Sequence, residues 1–275
     1  MSGTLYLVPT PIGNLSDISP RARDTLAQAD FIAAEDTRVS LKLLNHLEIR
    51  KPLVSYYEHN KEVSGPKIAD RIAAGENCAL VTDAGSPAIS DPGEDLVRLC
   101  ADRGIPVTAI PGPCAVVTAL SISGLPTGRF TFEGFLSVSK KARRTHLDSL
   151  REEQRTMIFY EAPHKLRDTL ADLTEAFGAD RRISLCRELT TLHEEVLRMT
   201  LGEARAYYEE QDPRGEYVLV VEGAAPRKEE KISLEEALQL VAEQMEQGLS
   251  RKDAVKQVSA RTGLPKNELY NAALR

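Results

Sequence analysis

Three short loops rich in glycine and proline carry the residues best suited to hold a ligand. They read VPTPIGN over residues 8–14, TDAGSPAISDPG over residues 82–93 and IPGPCA over residues 110–115. Proline removes backbone N–H donors and stiffens the chain, while glycine lets a ligand approach the main chain closely. None of the loops contains a lysine, and a phosphate cradle would be richer in glycine donors. The loops therefore predict a rigid, narrow cleft that reads its ligand by backbone carbonyls, hydroxyls and apolar contacts.

Other kinds of chemistry find no support in the residue spacing. Cys78, Cys100, Cys114 and Cys186 are too widely spaced to form a CxxC pair, so we expect free thiols. His193-Glu194-Glu195 lacks the second histidine of a zinc hydrolase motif. The sequence also contains neither GxGxxG nor GxxxxGK[ST]. We therefore expect no metal site and neither of the two commonest nucleotide-binding motifs.

The composition is that of a folded, acidic protein. The chain has 275 residues, of which 42% are apolar and 28% charged, with a net charge of -6. No stretch approaches the roughly 18 apolar residues of a membrane span, and the amino terminus lacks the pattern of a signal peptide. We therefore expect a cytoplasmic protein without a membrane partner. The negative net charge does not exclude a nucleic acid as a binding partner, because binding depends on where positive charge lies on the surface.

The three loops follow predicted strands in the first half of the chain. Apolar runs alternate there with helical patterns, which indicates a largely parallel sheet with crossover helices. The predicted strands are Leu5–Val8, Phe31–Ala34, Leu53–Ser55, Ala79–Thr82 and Val107–Ile110, and the predicted helices cover 20–28, 62–74, 92–103 and 113–123. Ser19-Pro20 and Asp91-Pro92 mark two helix starts. Since open α/β sheets bind ligands at the carboxyl ends of their strands, the loops together favour a ligand site over ordinary turns.

Turn-forming residues at 124–128 predict a domain boundary. The second half is richer in strands and predicts a mixed α/β domain. Its predicted strands are Phe130–Phe135, Met157–Tyr160, Ile183–Glu188, Val196–Thr200 and Tyr217–Val221, and its helices lie near 139–153, 163–176 and 202–209. The expected organisation is therefore an N-terminal α/β domain over residues 1–125, a second α/β domain over 126–225 and a small helical domain over 226–275.

Residues 226–275 differ from the rest of the chain in their sequence pattern. A charged linker, RKEEK, occupies residues 227–231, and Ser233 and Glu236 have the spacing of a capping box. Ser250 predicts the start of a second helix, and Gly263 and Pro265 separate it from a third. Short helices joined by a glycine-containing turn are typical of a helix-turn-helix, but a small packing bundle has the same pattern.

Eight motifs together carry a family resemblance. In chain order they read VPTPIGNLSDIS, AAEDTR, TDAGSPAISDPG, IPGPCAVVTALSISGLP, FEGFL, YEAPHKL, RELT and GEYVLVVEG. In this order and spacing the chain resembles the bacterial 16S ribosomal RNA 2'-O-methyltransferases, which modify a cytidine of the decoding centre and belong to the tetrapyrrole methylase superfamily. The resemblance covers essentially the whole chain. It implies two α/β domains, the first with a mostly parallel sheet and the second with a mixed one, and a small all-α appendage.

The same resemblance implies the cofactor and the partners. S-adenosyl-L-methionine would lie folded in the cleft between the two α/β domains of a homodimer, and the substrate would be 16S ribosomal RNA within the small ribosomal subunit. Carried over by position, the cofactor-binding residues would be Pro11, Gly13, Gly85, Ser86, Ile89, Cys114, Ala115, Tyr160, Glu161, Gly215 and Glu216.

Methyl transfer to a ribose hydroxyl needs an acceptor for the hydroxyl proton, because the neutral hydroxyl is a poor nucleophile. The first candidates are Glu35 and Asp36, at the end of the second predicted strand. The alternative is that they only cap and start the segment after Thr37. Arg187 and Glu188 form a second candidate pair, which equally fits a structural ion pair.

Ribosomal RNA would be held mainly through its phosphates. The candidate RNA-binding residues are Arg38, His59, Asn60, Lys140, Lys141, Arg143, Arg144, Arg187 and Lys266. The basic run at 140–144 also fits a solvated helix face. Two positions depart from the family pattern in these segments: residues 137–140 read SVSK where a proline is expected early on, and Thr191 stands where a lysine is usual.

Two other functions remain possible from the residues. One is a small-molecule methylase that acts on a tetrapyrrole-type ring, and the other is a regulator that senses a ligand and binds nucleic acid through residues 233–275. The basic run at 140–144, the AEDTR motif and the appended helices favour the RNA enzyme, because a compact hydrophobic macrocycle would require none of them.

Overall fold

The computed structural model describes residues 2–226 and 233–274. The chain separates into two compact units, Met1–Ala224 and Ala225–Arg275. The predicted linker at 227–231 lies outside the described residues. No helix among the described residues is long and apolar enough to cross a membrane.

The first sheet is parallel, as the alternation of strands and helices predicts. Its strands are β1 (Leu5–Leu7), β2 (Phe31–Ala34), β3 (Leu53–Ser55), β4 (Cys78–Val81) and β5 (Val107–Ala109), in the spatial order β3-β2-β4-β1-β5. The helices are α1 (Pro20–Gln28), α2 (Thr37–His46), α3 (Lys61–Ala73), α4 (Gly93–Asp102) and α5 (Ala115–Ile122). All five strands were predicted to within one residue at each end. Helix α2 was not among the predicted helices.

The caps explain where the helices begin. Ser19 accepts a hydrogen bond from the Ala22 N–H and Pro20 opens α1, as predicted. Helix α4 begins one residue later than expected, with Pro92 as its N-cap. The Asp91 carboxylate nevertheless accepts the Gly93 N–H at 2.7 Å, as a capping side chain does. In α2 the capping residue is Asp36, whose side chain accepts the Arg38 N–H.

Helices cover both faces of the first sheet. Successive strand residues point to opposite faces, so Phe31 and Ala33 join the core beneath α3 and α4. Ile32 and Ala34 join the core beneath α1 and α2 on the other face. Both faces of the sheet are therefore covered by helices, so a ligand can reach it at the loops that follow the carboxyl ends of the strands.

The second sheet is mixed, as predicted. Its strands are β6 (Phe130–Phe135), β7 (Thr156–Glu161), β8 (Arg182–Arg187), β9 (Glu195–Thr200) and β10 (Tyr217–Val221), in the order β6-β7-β10-β8-β9. Only β6 and β7 pair in parallel. Helices α6 (Lys140–Ser149), α7 (Leu166–Phe177) and α8 (Leu201–Glu210) pack on one face. Helix α5 packs on the other through Val116, Ala119 and Leu120, so a helix of the first half completes the core of the second.

The second unit is a bundle of three helices, α9 (Leu234–Glu246), α10 (Arg251–Thr262) and α11 (Lys266–Ala272). Ser233 and Glu236 form the predicted capping box, and Ser250 caps α10. Gly263, with a φ of 73°, ends α10 in the left-handed conformation that favours glycine. The core of the bundle consists of Ala237, Val241, Ala254, Val255, Val258 and Leu269. The predicted fold class is therefore confirmed in all three of its parts.

Candidate functional site

The three glycine- and proline-rich loops meet at the carboxyl edge of the first sheet. Thr10 and Gly85 exchange backbone hydrogen bonds of 2.9 and 3.0 Å, which join the loops after β1 and β4. The Ser86 hydroxyl donates to the Pro113 carbonyl at 3.0 Å and so joins the loop after β5. Because β4, β1 and β5 are neighbours in the sheet, the predicted site residues of the three loops form one continuous surface.

Glycine is required where these loops approach one another. Gly85 has a φ of 86°, and a Cβ atom there would lie 3.3 Å from the Ile12 side chain. A Cβ atom at Gly112 would lie 2.8 Å from the Pro9 Cβ, too close for any side chain. Around these contacts Pro11 is half-buried and Ile89 is exposed. The loop shape, rather than a set of reactive side chains, therefore defines this part of the site.

Tyr160 forms the wall that the second sheet adds. Its ring lies 4.9 Å from Phe132 and 5.5 Å from Phe135, measured between ring centroids. It packs in the same cluster as Cys114 and Ala115, at the start of α5. Burial raises the pKa of Tyr160 to about 12, and the nearby Cys114 acts in the same direction, against the Val116 N–H that hydrogen-bonds to the phenol. The ring is therefore a neutral, apolar surface facing the third loop.

The RELT loop after β8 closes against the first loop. A Cβ atom at Gly13 would lie 2.9 Å from Thr190 Oγ1 and 2.7 Å from Thr191 Cγ2. The Thr190 hydroxyl is buried and has no hydrogen-bond partner among the residues that the structure describes. Thr190 therefore offers an unused polar group beside Gly13, although the sequence analysis did not select it.

Backbone strain is concentrated around the same cleft. Glu188 and Thr190 have φ values of 51° and 67°, and Ala88 and Ser90 in the second loop have values of 67° and 64°. Non-glycine residues rarely adopt this conformation, and such strain gathers at functional sites. Side-chain identity alone does not reveal such strain, so the sequence analysis selected Glu188 for its carboxylate and did not select Thr190, Ala88 or Ser90.

Glu188 supports the Gly215–Glu216 turn. Its carboxylate accepts the Glu216 N–H at 2.9 Å, and any side chain at Gly215 would collide with it. Arg187 instead faces Glu195 on the neighbouring strand, with 3.2 Å between the guanidinium Nε and the carboxylate. The structure therefore separates the predicted Arg187–Glu188 pair into two different contacts.

Glu161 and Arg143 come together on the far face of the second sheet. Glu161 is buried and accepts a hydrogen bond from the Thr169 hydroxyl. Arg143 donates to the same hydroxyl at 2.7 Å and also pairs with Asp172. Only 12% of the Arg143 side chain is exposed. The Glu161 side chain thus points to the face opposite Tyr160, and Arg143 lies inside the fold.

The other basic residues of α6 lie at the surface. Lys140 and Lys141 are exposed, and Arg144 pairs loosely with Glu175 at 3.1 Å. A cavity of about 490 Å³ between α6 and α7 is lined by Lys140, Arg144 and Lys165 together with acidic residues of α7. In the helical unit, Lys266 is exposed at the first residue of α11.

Carboxylates lie in a row beside the cleft. Ala34 at the end of β2 is in register with Val81 at the end of β4, so the residues that follow them are neighbours. Glu35 accepts a hydrogen bond from the Thr82 hydroxyl at 2.7 Å, and the Asp36 N–H donates to the Asp83 carboxylate at 3.1 Å. This places Asp83, which the sequence analysis did not select, in the same cluster as Glu35 and Asp36.

The three carboxylates have different electrostatic surroundings. Hydrogen bonds from the Arg38 side chain and backbone lower the pKa of Asp36 to about 2. Burial raises the pKa of Asp83, and the negative charges of Glu35 and Asp36 raise it further. Asp36 thus acts as a helix cap that holds Arg38, whereas Asp83 is the more basic of the two aspartates.

Asn60 and His59 follow β3 at the same edge of the sheet. The Asn60 side chain accepts the Tyr57 N–H at 2.8 Å and donates to the Ser55 carbonyl at 3.0 Å. Asn60 therefore closes its own loop, while His59 is exposed. No cluster of metal-ligating side chains occurs within residues 2–226 or 233–274.

The cleft suits a ligand that is partly apolar and positively charged. Its three glycine- and proline-rich loops contain neither lysine nor arginine, its aromatic wall is neutral, and the carboxylates lie at one end. A phosphate-binding site would instead present backbone N–H donors and positive charge.

Comparisons with known proteins agree with the fold. The model of the family described as Tetrapyrrole (Corrin/Porphyrin) Methylases matches residues 4–205, and that of the RsmI C-terminal HTH domain matches residues 232–275. The chain is 47% identical to ribosomal RNA small subunit methyltransferase I of Synechocystis sp., covering 99% of this chain and 98% of that protein. It is 50% identical to the enzyme of the same name from Halalkalibacterium halodurans, covering 98% and 94%.

A solved structure gives the same fold at greater distance. Uroporphyrin-III C-methyltransferase from Thermus thermophilus, complexed with S-adenyl homocysteine, matches with a TM-score of 0.54 at 19% identity. The match covers 79% of this chain and 97% of that one. At this identity the likeness concerns the fold alone.

Proposed function

Because the chain belongs to the tetrapyrrole methylases and carries the C-terminal domain named for RsmI, we propose that it methylates RNA of the small ribosomal subunit with S-adenosyl-L-methionine. The acceptor is the ribose 2'-hydroxyl of a cytidine in the decoding centre of 16S ribosomal RNA. The enzyme acts as a cytoplasmic homodimer on RNA within the small subunit. The observation that carries the proposal is the meeting of the three loops beside a row of carboxylates.

The residues of the cleft fit the cofactor. When bound, S-adenosyl-L-methionine supplies an electrophilic methyl group on a positively charged sulfur. Gly13, Gly85, Ser86 and Cys114 line the first-sheet side, and Tyr160 gives an apolar wall. The unpartnered Thr190 hydroxyl leaves a polar contact for the ligand. Pro11, Ile89, Ala115, Gly215 and Glu216 complete the proposed cofactor site, and the backbone at Glu161 contributes rather than its side chain.

The carboxylate row takes up the proton that the ribose hydroxyl loses. A general base is most effective when its pKa approaches the working pH. Asp36 is a weak base because Arg38 keeps it ionised, and Glu35 already accepts the Thr82 hydroxyl. Asp83 has a raised pKa, and its Oδ2 accepts no hydrogen bond from the described residues. We therefore place the proton on Asp83, with Glu35 as a neighbouring candidate.

RNA is favoured over a small ring as the substrate. Lys140, Lys141 and Arg144 present positive charge on α6, and Arg38 is exposed beside the carboxylates. The helical unit adds Lys266 to this set. The relatives that match across nearly the whole chain are named for ribosomal RNA. These residues would contact RNA phosphates, which supply most of the affinity of such complexes.

The test is transfer of label from methyl-labelled S-adenosyl-L-methionine to small ribosomal subunits purified from cells that lack this enzyme. Nuclease digestion would then identify the product, and we expect 2'-O-methylcytidine. Methylation of the base instead of the ribose would overturn the acceptor atom. If the protein bound the cofactor but left the RNA unlabelled, a small-molecule methylase or a ligand-sensing regulator would become the better explanation.

A further inference from the structure

An exposed aromatic side chain stands at the same edge of the sheet as the carboxylates. Tyr57 is 40% exposed, and its ring centroid lies 6.2 Å from that of His59 in an edge-to-face arrangement. Both rings follow β3, the outermost strand on the carboxylate side of the sheet. Neither ring takes part in the cofactor site described above.

The register of the sheet fixes how far Tyr57 lies from the proposed reaction centre. Ser55, Ala34 and Val81 are aligned across β3, β2 and β4. Tyr57, Asp36 and Asp83 each follow this row by two residues. Neighbouring strands are about 4.8 Å apart, so the register predicts a separation of about 10 Å between the backbones of Tyr57 and Asp83. This separation is comparable to the size of one nucleoside.

The loop that carries Tyr57 is held firmly. The neighbouring Tyr56 is buried, and its hydroxyl donates to the Pro92 carbonyl at 3.0 Å, beside the second cofactor loop. Lys61 bridges Glu58 and Asp95 with contacts of 2.7 Å each. Asn60 closes the turn from inside. An aromatic ring held this way presents its surface without a large loss of conformational freedom on binding.

The charge next to the ring indicates what it meets. The Arg38 side chain is 87% exposed and is oriented by two hydrogen bonds to Asp36, between the β3 and β4 positions. An exposed guanidinium between an aromatic ring and a carboxylate matches the parts of a nucleotide, namely phosphate, base and ribose. Proteins read unpaired nucleotides in RNA by stacking such bases on aromatic side chains.

We propose that Tyr57, supported by His59, is the stacking surface for an unpaired nucleobase of the RNA substrate, and that it fixes the ribose beside Asp83. This inference rests on the proposed function, because it assigns a subsite for the RNA of that reaction. It separates substrate binding, on the β3 and β2 side of the edge, from cofactor binding on the β4, β1 and β5 side.

The experiment compares three variants in steady-state methyl transfer to unmodified small ribosomal subunits. Tyr57→Ala removes the ring, and we expect the KM for subunits to rise about ten-fold, within the usual range for loss of one stacked base. Tyr57→Phe keeps the ring and should stay within about two-fold of the unaltered protein. Tyr207→Ala is the matched control, because Tyr207 is also 40% exposed but lies on α8.

Calorimetric affinity for S-adenosyl-L-methionine and the melting temperature should be the same in all three variants. An unchanged KM in Tyr57→Ala would overturn the proposal. So would weaker cofactor binding, which would assign the ring to the cofactor pocket, or equal defects in Tyr57→Ala and Tyr57→Phe, which would assign the effect to the hydroxyl. Failure of the unaltered protein to methylate subunits would instead overturn the proposed function itself.

Discussion

Asp83 and Asp36 show how two neighbouring aspartates acquire different chemistry. The Asp36 N–H donates to the Asp83 carboxylate at 3.1 Å, so the two residues share one contact. Arg38 lowers the pKa of Asp36, whereas burial and like charges raise that of Asp83. A raised pKa makes a carboxylate a better proton acceptor near neutral pH. The difference predicts which residue is needed for the chemical step.

Asp83→Asn should therefore lower kcat strongly. The amide oxygen can still accept the Asp36 N–H, but it cannot take up a proton, and general bases contribute about 10²- to 10⁴-fold. In the unaltered enzyme, single-turnover rates should fall as the pH drops through the raised pKa of Asp83. An acceptor with the pKa of Asp36, about 2, would instead stay ionised and produce no such fall in mildly acidic buffers.

Asp36→Asn is the control for this measurement. It alters the helix cap and the hydrogen bonds that orient Arg38, so we expect a higher KM for RNA. The acid limb of the pH profile should be retained but move to lower pH, because the negative charge of Asp36 raises the pKa of Asp83. An acid limb that survives in Asp83→Asn and disappears in Glu35→Gln would transfer the proton-accepting role to Glu35.

Ser86 tests the position of the cofactor cleft. Its hydroxyl donates to the Pro113 carbonyl, between the second and third loops. In Ser86→Trp an indole would occupy the space between these loops, and we expect affinity for S-adenosyl-L-methionine to fall at least about 100-fold, while the protein remains folded. Ser149→Trp, at an exposed position of α6, should bind normally in the same calorimetric titration. Undiminished binding by Ser86→Trp would place the cofactor elsewhere.

Helix α6 divides its basic residues between two tasks at the scale of the element. Lys141 is exposed, while Arg143 points inward to Thr169 and Asp172 on α7. Because Thr169 in turn donates to Glu161, Arg143 connects α6 to the end of β7. In the basic run at 140–144, the exposed side chains are thus available to RNA, whereas Arg143 connects α6, α7 and β7 by hydrogen bonds and an ion pair.

The variants Arg143→Ala and Lys141→Ala separate these tasks. Arg143→Ala removes the ion pair with Asp172 and the hydrogen bond to the Thr169 hydroxyl, so the free energy of unfolding should fall by about 1–3 kcal/mol in urea titrations. Lys141→Ala should change stability by less than about 0.5 kcal/mol. It should instead weaken RNA binding and reduce the slope of log affinity against log salt by about 0.7–0.9, for one phosphate contact. Equal stabilities of the two variants would contradict this division.

The two compact units predict separable roles at the scale of the whole molecule. The cofactor loops and the carboxylates all lie in the unit Met1–Ala224, and the helical bundle has a core of its own. A chain ending at Ala224 should therefore keep its affinity for S-adenosyl-L-methionine. We expect its KM for small subunits to rise at least about ten-fold, because the basic residues of the bundle are lost.

A charge variant of the full chain is the control for this truncation. Replacing Arg251, Lys252 and Lys256 by glutamine leaves the buried positions of the bundle intact, since these three residues are exposed. The variant should share the raised KM and show a weaker salt dependence of binding. Full activity of the truncated chain at limiting subunit concentration would remove the docking role of the bundle.

The sequence was sufficient for most of the architecture. Every strand of the two sheets was predicted to within one residue at each end, and the caps of α1, α9 and α10 were recognised in advance. These features depend on hydrophobic periodicity and on local hydrogen bonds, which neighbouring residues determine. The three loops were likewise evident, because glycine and proline restrict the backbone wherever they occur.

What only the tertiary structure decided is the environment of each side chain. It turned Arg143 inward, used Asn60 to close a loop and brought Asp83 to Asp36, residues that are 47 positions apart in the chain. It also holds Thr190 in a strained conformation beside Gly13 and seats α5 on the second sheet. Burial, charge proximity and strain arise from contacts between distant segments, so local residue patterns specify the elements but not the chemistry of the side chains they bring together.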